Sequence, residues 1–191
     1  MFKFLRWLGL SPSDRVPEPL ERAAETYVNL VKSRVIGAVV VNDELLLPPG
    51  TTSEQNYGLL TALCAYFVAR TDAELEDRNV PKRIREYVWA AIPEAVLDEM
   101  EFSGTRRSVA LHAILRQSGL FRDVFETHGP ANTAVLAKTL LTMAPTLGAT
   151  AAQSIQSQEL FVAGRLSVLL EKFANYGRYL DAVATHACRD A

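Results

Sequence analysis

Glu94 and Asp98 are the two residues whose type and spacing most directly suggest chemistry. Side chains four residues apart lie on the same face of a helix, so these carboxylates can reach a common ligand. Such a pair can bind a cation or exchange a proton with a substrate. The pattern also fits a solvated helix face, because acids that follow a break such as Pro93 are stabilised by the positive end of the helix dipole. We expect the solvated face, and an enzyme built around Glu94 and Asp98 is the alternative.

The histidines and cysteines do not form a recognisable metal site or nucleophile. His112, His128 and His186 are far apart, and none has a His or Glu three or four residues away, the spacing of metal ligands on a helix. Cys64 lies in an apolar stretch, where a thiol has a raised pKa and is a poor nucleophile. We therefore expect no metal and no cofactor. A site assembled from distant residues keeps the question of enzymatic activity open.

Two features raise the question of nucleic-acid binding. A basic group precedes two aromatic residues, and residues 105–127 resemble a helix, a turn at Gly119 and a second helix. The second helix combines Arg122 with Asp123 and Glu126, so it repels phosphates as much as it attracts them. A helix-turn-helix DNA binder is therefore a disfavoured alternative. The basic group consists of Arg78, Lys82, Arg83 and Arg85.

The composition is that of an ordinary globular protein. The chain has 191 residues, of which 49% are hydrophobic and 22% charged, and its formal net charge is −2. These values exclude an intrinsically disordered chain and do not require a polyanionic partner. Two cysteines do not form a disulfide framework, and no apolar run reaches the roughly 18–20 residues needed to span a bilayer. We expect a cytoplasmic protein.

Helical spacing of apolar residues runs through nearly the whole chain. In the first predicted helix, apolar residues recur every three or four positions from Leu20 to Val35. Pro17 and Pro19 fit the start of this helix. The pattern predicts an all-α, single-domain bundle of about six to eight helices over residues 18–191.

Local signals divide the rest of the chain into helices. Thr52 and Thr71 each begin a capping-box pattern, which predicts a helix of residues 53–70 between them. Pro93 is expected to end or kink the next helix, and Gly119 is expected to end a further one. The helices predicted after residue 71 cover 81–101, 105–119, 120–127 and 132–143.

Residues 36–47 fit two alternatives. The β-branched residues before Asn42 favour a short β-hairpin that turns on Asn42 and Asp43. The unbroken helical spacing instead favours a first helix that continues to Val41. Both alternatives stay open on the sequence.

The strongest periodic signal lies in residues 155–187. Seven apolar residues from Val162 to Val183 alternate spacings of four and three, and further apolar residues widen this stripe beyond a coiled-coil seam. We predict that this helix is the centre of the bundle, with a homodimer seam as the alternative. Gly164 and Gly177 each cost about 1 kcal/mol relative to alanine, so packing must compensate for them.

The first ten residues place six large apolar side chains around two basic ones, ahead of a linker that ends at residue 17. Burying six such side chains contributes at most roughly 9–18 kcal/mol, and ordering ten residues costs about 10–20 kcal/mol. Because these terms nearly cancel, the segment needs an existing surface: the protein's own helices, a protein partner or a membrane interface. The candidate contact residues are Phe2, Phe4, Arg6 and Trp7.

The apolar N-terminal segment is the basis for a hypothesis about function. We expect a non-catalytic interaction protein, such as an adaptor or a regulatory or inhibitory subunit. Its partner is an unidentified protein or an identical subunit, with peripheral membrane contact as a further possibility. Nucleic acid is the least favoured partner.

Overall fold

Six helices make up the part of the chain that the computed structural model describes, namely residues 18–38, 53–143, 163–164, 167–168, 171 and 175–189. These residues contain no strand, and the predicted all-α bundle is confirmed. In chain order the helices are α1 (Glu18–Ile36), α2 (Ser53–Asp77), α3 (Lys82–Glu99), α4 (Gly104–His128), α5 (Thr133–Met143) and α6 (Gly177–Arg189).

The central helix of the bundle is α2. Every residue from Leu59 to Ala69 is buried, because this stretch is apolar around the whole helix rather than along one stripe. α2 packs along α3 and α4 and also contacts α1, α5 and α6. Residues 155–187 are predicted to form the centre, but most of residues 155–174 lie outside the described residues. The described carboxyl-terminal part of residues 155–187 does not occupy the centre. Their described helix, α6, buries one side only, through Leu180, Val183 and Ala187.

The predicted apolar face of α1 is confirmed. Its buried residues follow the predicted spacing of three and four, and the helix lays this face against α3 and α6. Glu18 and Glu21 occupy the first turn, where the helix dipole stabilises negative charge. The buried residues are Leu20, Ala24, Tyr27, Val28, Val31 and Val35.

The predicted end of α2 near residue 70 is wrong, since the helix continues to Asp77. Thr71 does not cap a new helix. It lies in the helix interior with its side chain buried, and its hydroxyl lies 2.6 Å from the hydroxyl of Tyr27 on α1. A tertiary hydrogen bond has replaced the local capping bond. The chain turns after α2 at Asn79, whose φ of 57° is left-handed, and α3 follows Pro81 as predicted.

Pro93 does not end α3, which runs through it to Glu99. A proline inside a helix removes one backbone hydrogen bond. Here Pro93 is buried among neighbours that are also buried, including Ile92 and Val96, so tertiary packing offsets that loss. The turn that follows contains Glu101, which has a left-handed φ of 56°.

Gly119 does not end a helix either: α4 is continuous from Gly104 to His128. The glycine costs about 1 kcal/mol relative to alanine. Core residues on both sides of it, such as Ile114 and Phe121, are fully buried and hold the helix in place. The helix ends at His128, within the gap between the predicted helices of residues 120–127 and 132–143, and Gly129 is its C-cap. Gly129 has a φ of 78°, and its N–H donates to the carbonyl of Phe125 at 2.9 Å.

The last two helices differ in how well their bounds were predicted. α5 begins at Thr133, one residue after the predicted start at Asn132, whose side chain accepts a hydrogen bond from the N–H of Val135 at 3.3 Å. α6 begins at Gly177 after a turn at residues 175–176. The continuous helix predicted over residues 155–187 is therefore interrupted there.

Several predictions lie outside the described residues: the N-terminal segment and linker of residues 1–17, and the helix or hairpin of residues 39–47. Residues 37–38 continue the helical path of α1 as a wider turn. Among the helices that are described, none has the length and apolar character needed to cross a membrane.

Candidate interaction surface

Arg107 on α4 pairs with both members of the predicted carboxylate pair. Its guanidinium bonds Glu94, and it contacts Asp98 at 2.6 Å. The side chain of Glu94 is 22% exposed and that of Asp98 is 73% exposed. The expected fully solvated face is therefore not observed, because Glu94 is largely buried and both acids are ion-paired. The two acids also do not form a free carboxylate pair, as the enzyme alternative requires. The chemistry of the pair is an ion-paired link between α3 and α4, and a neighbouring acid, Glu99, similarly contacts Lys32 of α1 at 3.0 Å.

A second ion-paired network joins α2 to α3 and α4. Arg122 bonds Asp72 and lies 2.8 Å from Glu76, and Arg85 reaches the same Glu76 at 2.7 Å. Burial raises the pKa of Asp72, whereas hydrogen bonds from Arg85 and Arg122 lower the pKa of Glu76. Arg122 therefore points towards α2 rather than outward to a phosphate.

Arg78, from the predicted basic group, is also paired with acids. It contacts Asp181 of α6 at 2.8 Å and Glu74 at 2.7 Å. Arg85 is paired as described above, and Lys82 lies 3.8 Å from Glu86, so at least three of the four basic residues pair with acids of the bundle. The geometry does not assemble a phosphate-binding face from them.

Buried hydroxyl and guanidinium groups lie in the core beside α1. Tyr27 bonds Thr71, but no hydrogen-bond partner reaches the hydroxyl of Tyr66 within the described chain. One turn later, Arg70 bonds Glu74, while its Nε and Nη1 atoms are buried with no hydrogen-bond partner there. Burial raises the pKa of Tyr66 well above its ordinary value. This polar cluster was not predicted, because the sequence around Tyr66 resembles a purely apolar helix.

We expect Tyr66→Phe and Tyr27→Phe to have opposite effects at neutral pH. Removing the unpartnered hydroxyl of Tyr66 removes a desolvation cost, so the free energy of unfolding should stay unchanged or rise by about 1 kcal/mol. Removing the hydroxyl of Tyr27 leaves buried Thr71 unpaired and should lower it by about 1–2 kcal/mol. Urea unfolding of the two variants measures this difference. Equal losses would contradict the assigned hydrogen bonds.

The predicted poor nucleophile and the dispersed histidines remain separate in space. Cys64 is fully buried, and burial raises the pKa of its thiol. Within the described ranges no three His, Cys, Asp or Glu side chains group closely enough to hold a metal ion. His186 lines a shallow groove of about 400 Å³ beside α1, where Glu18 and Arg22 already pair with each other. His112 is exposed on α4, with Nδ1 2.8 Å from the carbonyl oxygen of Ser108.

The exposed side of α4 carries a row of residues that we call the outer stripe. Its members are separated alternately by three and four residues, so they share one face of the helix. Val109 and Leu120 are 57% and 50% exposed, and they are two of the three large apolar residues that are exposed in the described chain. The outer stripe consists of Arg106, Val109, Ala113, Arg116, Leu120 and Asp123.

The charges of the outer stripe are not neutralised within the described chain. Arg106 lies over the ring of Phe102, 4.2 Å from its centroid, and makes no ion pair with a described residue; the same holds for Arg116 and Asp123. Arg106 lies near the amino end of α4, and Asp123 lies near its carboxyl end. The outer stripe was not predicted from the sequence, because the predicted turn at Gly119 placed Val109 and Leu120 in different helices.

The predicted interaction residues, Phe2, Phe4, Arg6 and Trp7, lie outside the described residues, so their role stays a prediction. No protein-family model, curated protein or solved structure matches this chain. The outer stripe of α4 is therefore the feature of the described surface on which a proposal about function can rest.

Proposed function

We propose that this chain is a non-catalytic helical interaction protein, an adaptor or a regulatory or inhibitory subunit, that binds a protein partner through the outer stripe of α4. The observation that carries the proposal is that two large apolar side chains, Val109 and Leu120, are exposed on the same face of α4. Eleven residues separate them, which is three turns of an α-helix, so both can contact a single partner element. Covering both side chains removes apolar surface from water at about 25 cal/mol per Å².

The apolar segment of residues 1–10 is proposed as a second docking element of the same protein. Its six large apolar side chains need a surface, and Arg6 together with Trp7 suits either a protein partner or the headgroup region of a membrane. A segment with two basic residues binds anionic lipid only weakly, so membrane contact would be peripheral and reversible. On this proposal the protein acts in the cytoplasm.

The two alternative functions are supported less well by the described contacts. Arg107 is ion-paired with both Glu94 and Asp98, so its guanidinium already occupies the position at which a shared cation would bind these carboxylates. The DNA-binding alternative needs a turn at Gly119, and α4 is continuous at that position. No observation on the described residues favours either of them over the interaction protein.

Affinity capture from the native host, with the tagged full chain as bait, tests the proposal. We expect the double variant Val109→Asp/Leu120→Asp to lose the specifically captured protein by at least about tenfold, because a buried carboxylate at either position is costly. Val168→Asp is the matched control, since Val168 is exposed to 41% and does not belong to α4. Equal capture by the double variant and the wild-type chain would contradict docking through α4.

The same capture with a chain that lacks residues 1–12 tests the second docking element. Loss of the partner or of liposome binding on truncation supports external docking of the segment. A lower thermal midpoint with unchanged capture, liposome pelleting and oligomer size would show instead that the segment packs on the protein's own helices.

A further inference from the structure

The outer stripe of α4 has a charge pattern that is complementary to the same stripe on a helix that runs in the opposite direction. Read from the amino end, its ends carry Arg106 and Asp123, and its apolar members Val109 and Leu120 lie equally far from those ends. A helix with this pattern matches an identical helix that runs in the opposite direction. The pattern suggests a specific identity for the partner that the proposed function requires.

We propose that the outer stripe is the interface of a homodimer in which two α4 helices pack antiparallel about a two-fold axis. This inference rests on the proposed function and names its partner as a second copy of this chain. The two-fold axis crosses the outer stripe at the level midway between residues 114 and 115. Val109 then lies opposite the partner's Leu120, and Arg106 lies opposite the partner's Asp123.

Charge selects this arrangement over its neighbours. A parallel pair would place Arg106, Arg116 and Asp123 each beside its own copy, so that every charge of the stripe meets a like charge. An antiparallel pair shifted by one heptad would bring Arg106 opposite the partner's Arg116. Only the register with the axis between residues 114 and 115 joins both opposite charges and both large apolar residues.

The size of the stripe limits the strength of the dimer. From residue 106 to residue 123 the helix advances about 26 Å, and one helix pair of this length buries less than the ~1,200 Å² of a standard stable interface. The two copies of Arg116 lie close to the axis, so their stems must lie along the stripe while their charged ends extend to opposite sides. We therefore expect reversible, concentration-dependent dimerisation rather than an obligate dimer.

Charge reversal combined with mixing tests the register. In sedimentation velocity on the purified full chain, Arg106→Asp alone and Asp123→Arg alone should each weaken dimerisation by about tenfold, because each converts two attractive pairs into two repulsive ones. An equimolar mixture of the two single variants should dimerise about as well as the wild-type chain, since both of its pairs are then attractive. The double variant Arg106→Asp/Asp123→Arg should also recover.

Both substituted residues are exposed, so unchanged circular dichroism and thermal midpoints verify that the variants fold. A wild-type chain that stays monomeric at concentrations up to about 1 mM would overturn the homodimer. So would a mixture that dimerises no better than the single variants. If the homodimer fails while the Val109→Asp/Leu120→Asp variant still loses a captured protein, the proposed function stands with a different partner. If that variant loses nothing, the proposed function fails as well.

Discussion

Phe121→Ala is expected to lower the free energy of unfolding by about 3–5 kcal/mol. Phe121 is fully buried on the inner face of α4, and its ring meets that of Tyr66 on α2 edge-on, with 5.6 Å between centroids. A second ring, that of Phe125, lies 6.3 Å away. Alanine would lose this buried apolar area and leave a cavity at the contact between α2 and α4, the two helices that pack most extensively.

Leu120→Ala is the matched control, one position away on the same helix. Its side chain is half exposed, so its truncation should cost less than about 1 kcal/mol. Urea unfolding at neutral pH and at low protein concentration measures both values. If the two substitutions cost the same, the assigned rotation of α4, and with it the exposure of the outer stripe, is wrong.

Alkaline pH is expected to unfold the protein cooperatively between about pH 10 and pH 12. Four buried groups ionise far more easily in the unfolded chain: Cys64, Tyr27, Tyr66 and Tyr87. Burial raises the pKa of Tyr87 to about 12 and raises the pKa of the other three further. In the unfolded chain the ordinary values are about 8.5 for cysteine and about 10 for tyrosine.

The sign of this effect follows from proton binding. The folded-state pKa values lie above the unfolded ones, so the stabilisation is complete below the unfolded values and is lost as the pH rises towards the folded ones. Above about pH 10 the unfolded chain has released up to four protons that the folded chain still holds. Each such proton lowers stability by about 1.4 kcal/mol per pH unit, which gives roughly 5 kcal/mol per unit in total. That is comparable with the whole stability of a typical domain.

Denaturant titrations between pH 8 and pH 11 measure this slope. Tyr66→Phe removes one of the four groups and should reduce the slope above pH 10 by about a quarter. Tyr179→Phe is the control, because that phenol is partly exposed in the folded chain. A stability that is flat up to pH 11 would contradict the burial of these four groups.

The sequence was most informative where a helix has one apolar face. The spacing of three and four from Leu20 to Val35 predicts the buried side of α1, and the predicted helix of residues 132–143 agrees with α5 to within one residue. In both places the local signal and the tertiary packing agree. The all-α class follows from the same periodicity repeated along the chain.

Predictions failed where packing overrides a local signal. Thr71 carries a signal that begins a helix, and Pro93 and Gly119 carry signals that end one, yet all three lie inside continuous helices. Buried neighbours on both sides offset the roughly 1–3 kcal/mol that such residues cost. The central position of α2 was not predicted, for a related reason. A one-sided stripe gives strong periodicity, whereas a helix that is apolar all round, such as α2, gives little.

The candidate site could be predicted only in part. The sequence indicates the carboxylate pair of Glu94 and Asp98, but the pairing of these acids with Arg107 depends on how α3 and α4 cross, which no local pattern encodes. The outer stripe depends on α4 being one helix. Once α4 is continuous through Gly119, the exposure of Val109 and Leu120 on one face follows from helical geometry alone.

The central claim is that two copies of the chain meet through the outer stripe of α4, and a distance between spin labels at Thr127 tests it most directly. Thr127 is exposed at the carboxyl end of α4 and can be replaced by cysteine in a Cys188→Ser background, with Cys64 left buried. With the axis between residues 114 and 115, the two Thr127 backbones lie about 38 Å apart along the helix axis. Pulsed electron–electron double resonance at a concentration that favours the dimer should therefore give a distance of about 40 Å between the two labels. A distance near 10 Å, the separation of parallel neighbouring helices, or the absence of any dipolar signal would contradict the account.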